Sequence, residues 1–346
     1  MRLKRTLKPI LICASIFCAV SAFAESSKPD LVIYAYDSFA AKGGLGSEII
    51  PLFEKKCGCD VRILPSGDGG QLLTRLQLDS RRGKNIAQVV IGLDEQSFER
   101  AKPWLESWGN WEPRGYAMLV PETKIEKGFL PLDYGVFAWI ADQKALARAG
   151  LPAPQRLVDL LAARFHRNLL LEDPRTSTPG LAFLLYTQAV FGEKTRSFWR
   201  SLKTQWLTLM PGWDGAYGLF LKSEAPLVWS YSTSQAYHEE HGDRAKHRYR
   251  ALLFDEGQPI QVEGAALVRN APHLELAKEF LEFLISPEVQ EKIPRKNWML
   301  PVLRGVSLPA SFEHLPKPKK TVPLARNQKE IEKALKAWSK AVEGGE

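Results

Sequence analysis

The chain has 346 residues, with 47 Lys and Arg against 39 Asp and Glu, for a formal net charge of +8. Four of the basic residues, Arg2, Lys4, Arg5 and Lys8, crowd the N-terminus, so the rest of the chain carries about half of that excess. A charge so mild and so scattered excludes a nucleic-acid surface, and the length suggests two lobes more than one core.

The N-terminus reads as an address. The basic stretch leads into apolar Pro9 to Phe23 and then Ala22-Phe23-Ala24, the layout of a cleavable secretory signal over residues 1–24. The apolar run falls short of the ~20 residues that a membrane span needs. Neither Cys13 nor Cys18 lies in a lipoprotein cleavage context, so the expectation is a soluble protein exported to the periplasm. Cleavage leaves Cys57 and Cys59, spaced Cys-Gly-Cys. In an oxidising compartment a local disulfide is favoured over two free thiols, and Gly58 supplies the backbone freedom for it. Two sulfurs with no histidine beside them make a poor metal site.

Leu31 to Tyr36 is β-rich and starts the mature fold. Ser47 is placed to cap a helix through Lys56, with Pro51 in its early turns. Asp60 to Leu64 reads as a strand. Asp68-Gly69-Gly70-Gln71 then opens a helix as a capping box, with Leu72, Leu73 and Leu76 on its buried face. Gln88 to Leu93 is a third strand ending at Asp94. The β-α-β-α-β order predicts a parallel, doubly wound sheet, whose ligands sit at the carboxyl ends of strands. Tyr36, Asp68 and Asp94 fall at those ends. Trp104, Trp108 and Trp111 lie in an irregular stretch and have packing as their default role.

Leu130 to Ile140 is a long apolar run suited to leaving one lobe and entering the next. A second α/β pattern follows, with helices around Lys144 to Arg148 and Pro154 to Ala162, then a strand from Asn168 to Leu171. Thr178 and Pro179 read as N-cap and first residue of a helix that stops at Gly192. A strand, a Ser/Thr-rich turn and a helix N-terminus together suit an anion. Gly212 to Gly218 reads as a glycine-bearing bend after another strand. Ala225 to Val228 is a short buried strand that delivers Trp229 to His238, a stretch rich in hydroxyl groups and aromatic rings. Arg250 to Phe254 and Gln258 to Val268 are strands, the latter being the return crossing. Pro272 to Ile285 is an amphipathic helix. Pro294 to Met299 is a loop that presents Trp298. Leu315 to Val322 is a Pro- and Lys-rich linker to a final helix over Asn327 to Val342, with Ile331, Leu335, Trp338 and Val342 inward.

The expected organisation is a signal over 1–24, a first lobe of 25–131 and 259–314, a second lobe of 132–258, and a linker with C-terminal helix over 315–346. The candidate cleft residues are Tyr36, Asp68, Gly69, Ser177, Thr178, Trp213, Tyr231, Ser232, Thr233, Ser234, Tyr237 and Trp298. Aromatic faces suit a flat or cationic ring, and hydroxyls with helix N-termini suit an alcohol or phosphate tail. Asp37, Asp133 and Asp214 are candidates to counter positive charge. Nucleophilic catalysis finds no Gly-x-Ser-x-Gly elbow. His238 stands one helical turn from Ser234 with no orienting carboxylate in sequence reach. Nothing has metal-ligand spacing, and no cofactor is expected.

Tyr36-Asp37-Ser38-Phe39-Ala40, Cys57-Gly58-Cys59, Asp68-Gly69, Gly92-Leu93-Asp94, Asp133-Tyr134-Gly135, Asp173 to Gly180, Gly212-Trp213, Ala216 to Lys222, Tyr231 to Tyr237 and Asn297-Trp298-Met299 together resemble the periplasmic thiamine-binding proteins of bacterial ABC importers. The likeness runs from about Leu31 to Phe312. It implies a type II periplasmic-binding-protein fold, with two doubly wound α/β lobes joined by a two-crossing hinge. It also implies thiamine or its phosphates as ligand, and an ABC permease and ATPase as partners, the membrane being met only through the permease. Carried over, Tyr237 and Trp298 would sandwich the aminopyrimidine and Trp213 would lie against the thiazolium. Asp68, Gly69, Ser177, Thr178 and Tyr231 to Ser234 would hold the hydroxyethyl or phosphate end. The chain departs from the family pattern at Gly43, at Ala87-Gln88, and at Arg295-Lys296, which add positive charge beside Trp298. The alternatives are a secreted thiamine-cleaving enzyme, which needs a cleft cysteine, and an iron or polyamine receptor on the same scaffold.

Overall fold

The computed structural model describes residues 30–83, 86–242 and 248–344, so the signal expected over 1–24 lies outside the described residues. Ten strands form one curled sheet. Its first half holds β1 (Asp30–Ala35), β2 (Asp60–Pro65) and β3 (Val89–Asp94), which pair in parallel in the order β2-β1-β3. The long strand β4 (Leu130–Asp142) passes into the second half, where β5 (Leu169–Glu172) pairs in parallel with both β6 (Trp206–Met210) and β7 (Leu227–Tyr231). β8 (Tyr249–Leu252) pairs with β4, and β9 (Ile260–Leu267) returns between β3 and β4, antiparallel to both. β10 (Leu300–Pro301) adds a short antiparallel edge to β4.

β4 serves both halves by changing partner midway. Leu130 to Val136 pair with β9, and Phe137 to Ala141 pair with β7. Side chains alternate across a strand, and here both faces are covered. In β1, Leu31, Ile33 and Ala35 join the core under Phe53 and Phe280, while Val32 and Tyr34 join Leu72 and Leu76 on the other face. In β4, Phe137, Trp139 and Ala141 face Phe183 and Trp229, while Ala138 and Ile140 face Phe220 and Val228. Helices cover both faces of this mixed sheet, which explains why its strands read as near-continuous apolar runs.

Several local expectations shift. The helix expected from a Ser47 cap spans Leu45–Cys57 with Gly44 as N-cap, because the Ser47 hydroxyl folds back onto the Gly44 carbonyl at 2.8 Å. Pro51 therefore lies inside it. Ser177, not Thr178, caps helix Thr178–Phe191 by accepting from the Gly180 amide. Pro154 to Ala162 forms only a short 3-10 turn, Leu157–Leu161. The glycine-bearing bend after β6 is helix Trp213–Leu221, with Gly215 packed against the Met210 side chain. The capping box at Asp68 is present.

Cys57 and Cys59 are joined by a disulfide where helix Leu45–Cys57 ends and β2 begins. Trp108 is buried edge-on to Trp111 and Tyr116. Helix Gln328–Glu343 buries Ile331, Ala334 and Trp338 in the core of the second half, with Trp338 edge-on to Trp199. No helix among the described residues is long and apolar enough to cross a membrane.

Candidate functional site

The parallel strands of the two halves point their carboxyl ends at a common gap. Tyr36 follows β1, Asp68 follows β2, Thr178 follows β5, Gly212 follows β6, and Tyr231 ends β7. Together with Trp213, Thr233, Ser234, Tyr237 and Trp298 they line a cavity of about 610 Å³. Gly92 permits this wall to close up. It sits in β3 at φ 104°, and a Cβ there would stand 2.3 Å from the Tyr36 ring.

The aromatic wall is braced from behind. Trp213 stacks on Tyr217 at 4.7 Å, and its indole N–H donates to the Ser230 hydroxyl at 2.8 Å. Tyr231 stacks on Phe137 and donates to Gln261 at 2.7 Å. Trp298 is held at φ 54°, a left-handed backbone conformation that a bulky residue adopts only when its surroundings impose it. Phe312 stacks on its ring at 6.5 Å. Tyr237 and Trp298 meet edge to face, with centroids 5.2 Å apart and planes at 85°. They share the cavity but do not form the parallel slot that a sandwiched ring requires. Tyr237 is instead stacked on His241 at 4.6 Å, which holds its plane away from that of Trp298.

Asp68 ties the two halves together. Its carboxylate accepts from the Ser177 hydroxyl at 2.9 Å and from the Trp213 amide at 3.1 Å, both in the second half, while also capping its own helix through Gly69. Burial raises its pKa against these donors, which pull it down. Gly69 and Ser177 do not line the cavity; they pack behind it. A Cβ on Gly69 would collide with the Thr178 hydroxyl, so the glycine lets the two helix starts meet. Ser232 is also set back, buried, with its amide donated to Val136. The Ser234 hydroxyl bonds Ser230, and the His238 ring bonds Tyr217 at 2.9 Å and stacks on Tyr249. The spacing of Ser234 and His238 thus serves packing around Tyr217.

The wall is acidic. Asp37, Asp68, Asp214 and Glu263 contribute to it, and Lys296 is the basic residue among its lining. Lys296 donates to Glu48 at 2.7 Å, so the positive charge expected beside Trp298 is locally offset. Sequence reasoning missed Glu263, Gln261 and Asn297. Glu263 is the informative omission, because a lone charged residue inside the apolar run Val262 to Leu267 is an outlier that burial statistics flag. Asp133 lies behind Asn297, whose amide donates to it at 2.5 Å. Burial raises the Asp133 pKa to about 7.

A cavity at the carboxyl ends of parallel strands, between halves that share β4 and β9, is the architecture of type II periplasmic solute-binding proteins. The chain belongs to the bacterial extracellular solute-binding protein family, whose pattern matches residues 117–327. It is 39% identical to the thiamine-binding periplasmic protein of Escherichia coli K12, over 97% of either chain. It is also 39% identical to the protein of that name from Brucella melitensis, covering 90% of this chain and 91% of that one. The solved structure of a periplasmic thiamin binding protein superposes with a TM-score of 0.82 at 39% identity, covering 91% of this chain and 96% of the other.

Proposed function

We propose that the protein captures thiamine, or its mono- or diphosphate, in the cavity between its halves and delivers it to an ABC importer from the periplasm. The observation that carries this reading is the joining of Trp213, Tyr237 and Trp298 with Asp37, Asp214 and Glu263 in one wall. Rings offer faces to a planar heterocycle and carboxylates offset a fixed positive charge. The relatives named for thiamine supply the ligand's identity. The volume of about 610 Å³ leaves room for a phosphorylated tail.

The division into lobes of 25–131 with 259–314 and of 132–258 places one hinge in β4 and the other before β9. The C-terminal segment reinforces the second crossing, since the Gln258 amide donates to Lys320 and the Val322 amide to Gln258. Stacking contributes only about 1 kcal/mol per ring pair beyond burial, so closure of the lobes must supply the rest. The reading includes no catalysis. A thiamine-cleaving enzyme on this scaffold needs a thiol in the cleft, and Cys57 and Cys59 are bonded to each other beside the core of the first half.

Titration calorimetry on ligand-stripped protein tests the proposal. Saturable binding of at least one of thiamine, its monophosphate and its diphosphate is expected. Silence with all three, alongside retention of iron or spermidine, favours the other receptor readings. An alkylatable cysteine protected by thiamine favours the enzyme.

A further inference from the structure

Three acids stand in a row under the cavity, and of the three Glu263 lines it. Strand register places Glu263 of β9 directly opposite Asp94 of β3 on one side and Asp133 of β4 on the other. A bulge in each neighbouring strand, at Ile91 to Leu93 and at Pro131 to Asp133, sets these registers. Bulges next to sites re-aim side chains. Like charges directly opposite one another destabilise a sheet, and all three residues are buried.

The three are not equivalent. Asp94 has its own donors, the amide and hydroxyl of Ser97, with Arg100 nearby. Asp133 has the Asn297 amide on one oxygen, and its other oxygen has no hydrogen-bond partner among the described residues. Glu263 lies against the Tyr36 hydroxyl, and its Oε1 likewise has no partner. Neither Asp133 nor Glu263 forms an ion pair with a Lys or Arg among the described residues. Two adjacent buried carboxyl groups without a cation cannot both ionise.

The remaining groups around the pair do not relieve it. Tyr36 and Tyr231 are neutral phenols, Asp68 adds negative potential, and Gln290 spends its amide on the Leu132 and Leu284 carbonyls. Asp37 and Asp214 line the same wall, and Lys296 is engaged by Glu48.

We propose that Asp133 and Glu263 hold one proton between them in the ligand-free protein, and that a cationic ligand entering the cavity displaces that proton to solvent. Only Glu263 of the pair reaches the cavity wall, so Glu263 meets the cation and Asp133 positions the shared proton. The titration behaviour agrees: burial raises both groups, and Asp133 raises Glu263 further. Proton and ligand then compete for one site, and linkage makes the competition reciprocal. The ligand class is an organic cation with fixed positive charge; for thiamine this rests on the functional proposal above.

Two measurements decide it. Carbon-13 carboxyl resonances of the ligand-free protein, followed from pH 5 to 9, are expected to show Asp133 titrating near 7 and coupled to Glu263, which ionises above the ordinary carboxyl range. The pattern should be lost in both Asp133→Asn and Glu263→Gln. A wild-type spectrum with no carboxyl titrating above pH 6 overturns the proposal. Calorimetry with thiamine at pH 6, in buffers of different ionisation enthalpy, is expected to report release of up to one proton per ligand. Below pH 7 the affinity should increase as pH is raised, by up to tenfold per unit. Glu263→Gln should abolish release and weaken binding, and Asp133→Asn should reduce release, because burial still raises Glu263 but the charge of Asp133 no longer adds to it. Buffer-independent heat in the wild type overturns the coupling alone, whereas no thiamine binding at all overturns the ligand reading and the coupling with it. Circular dichroism confirms that each variant is folded, and either variant alone suffices for the comparison.

Discussion

The Ser177 hydroxyl donates to the Asp68 carboxylate at 2.9 Å across the gap between the two halves of the molecule. Two helix starts meet there, since Asp68 caps one helix and Ser177 caps the other, and the Gly70 amide adds a second bond to the Thr176 carbonyl at 3.0 Å. Ser177 thus helps to hold the halves together although it does not line the cavity.

Replacing Ser177 with Ala removes both that bond and a helix cap. A cap is worth about 0.5–2 kcal/mol, so thermal denaturation should show a modest loss of stability. Ser177→Asp retains a capping side chain but sets a second carboxylate against Asp68. It should open the molecule, raising the radius of gyration in solution scattering and weakening ligand binding, with less loss of helix stability than Ser177→Ala.

Gly92→Ala should be severe for a single methyl. The position is at φ 104°, and the new Cβ would collide with Tyr36. Strain of this kind costs about 1–3 kcal/mol. Denaturant titration should show that loss, and binding should weaken as Tyr36 is pushed from the cavity wall.

The ligand-free protein should become more stable on mild acidification. The Asp133 pKa is about 7 in the fold, above its ordinary value near 4 when unfolded. Between those values the folded state holds the extra proton, so stability falls as pH rises, by at most about 1.4 kcal/mol per unit. Melting temperatures measured from pH 5 to 8 should decline through this window, and Asp133→Asn should flatten the slope.

The elements that were legible in the sequence carry local chemistry. The Asp68 capping box and the crossing of β4 through both halves follow from spacing and from apolar run length. So do the inward Ile331 and Trp338 of the last helix. What was not legible depends on strand pairing. Glu263 becomes notable only when β9 is laid between β3 and β4, which puts Asp94 and Asp133 on either side of it. Helix Trp213–Leu221 was hidden by Gly212, Gly215 and Gly218, whose low helix propensity is overridden by packing of Ala216, Tyr217 and Phe220 into the core. The angle between Tyr237 and Trp298 is likewise set by His241 and Phe312, neighbours that no spacing rule reveals.

Reducing the Cys57–Cys59 bond should leave binding intact, because the bond lies away from the cavity lining. Closing so short a loop stabilises by about 1–2 kcal/mol in the chain-entropy account. A Cys57→Ser/Cys59→Ser double variant should melt slightly earlier and bind unchanged.

Trp298→Ala is expected to remove one ring face and weaken binding by roughly tenfold, in line with ~0.5–1.5 kcal/mol for an aromatic pair plus lost burial. Calorimetry on the variant measures it, and Phe312→Ala should show part of the same loss through the freed Trp298 ring.

The most direct measurement is a crystal structure of the protein grown with thiamine. The account predicts ligand density between the halves, with its rings against Trp298, Tyr237 and Trp213 and a basic or cationic edge within reach of Glu263. Thiamine bound elsewhere on the surface, or a cavity between the halves that stays filled with water at saturating thiamine, would contradict it.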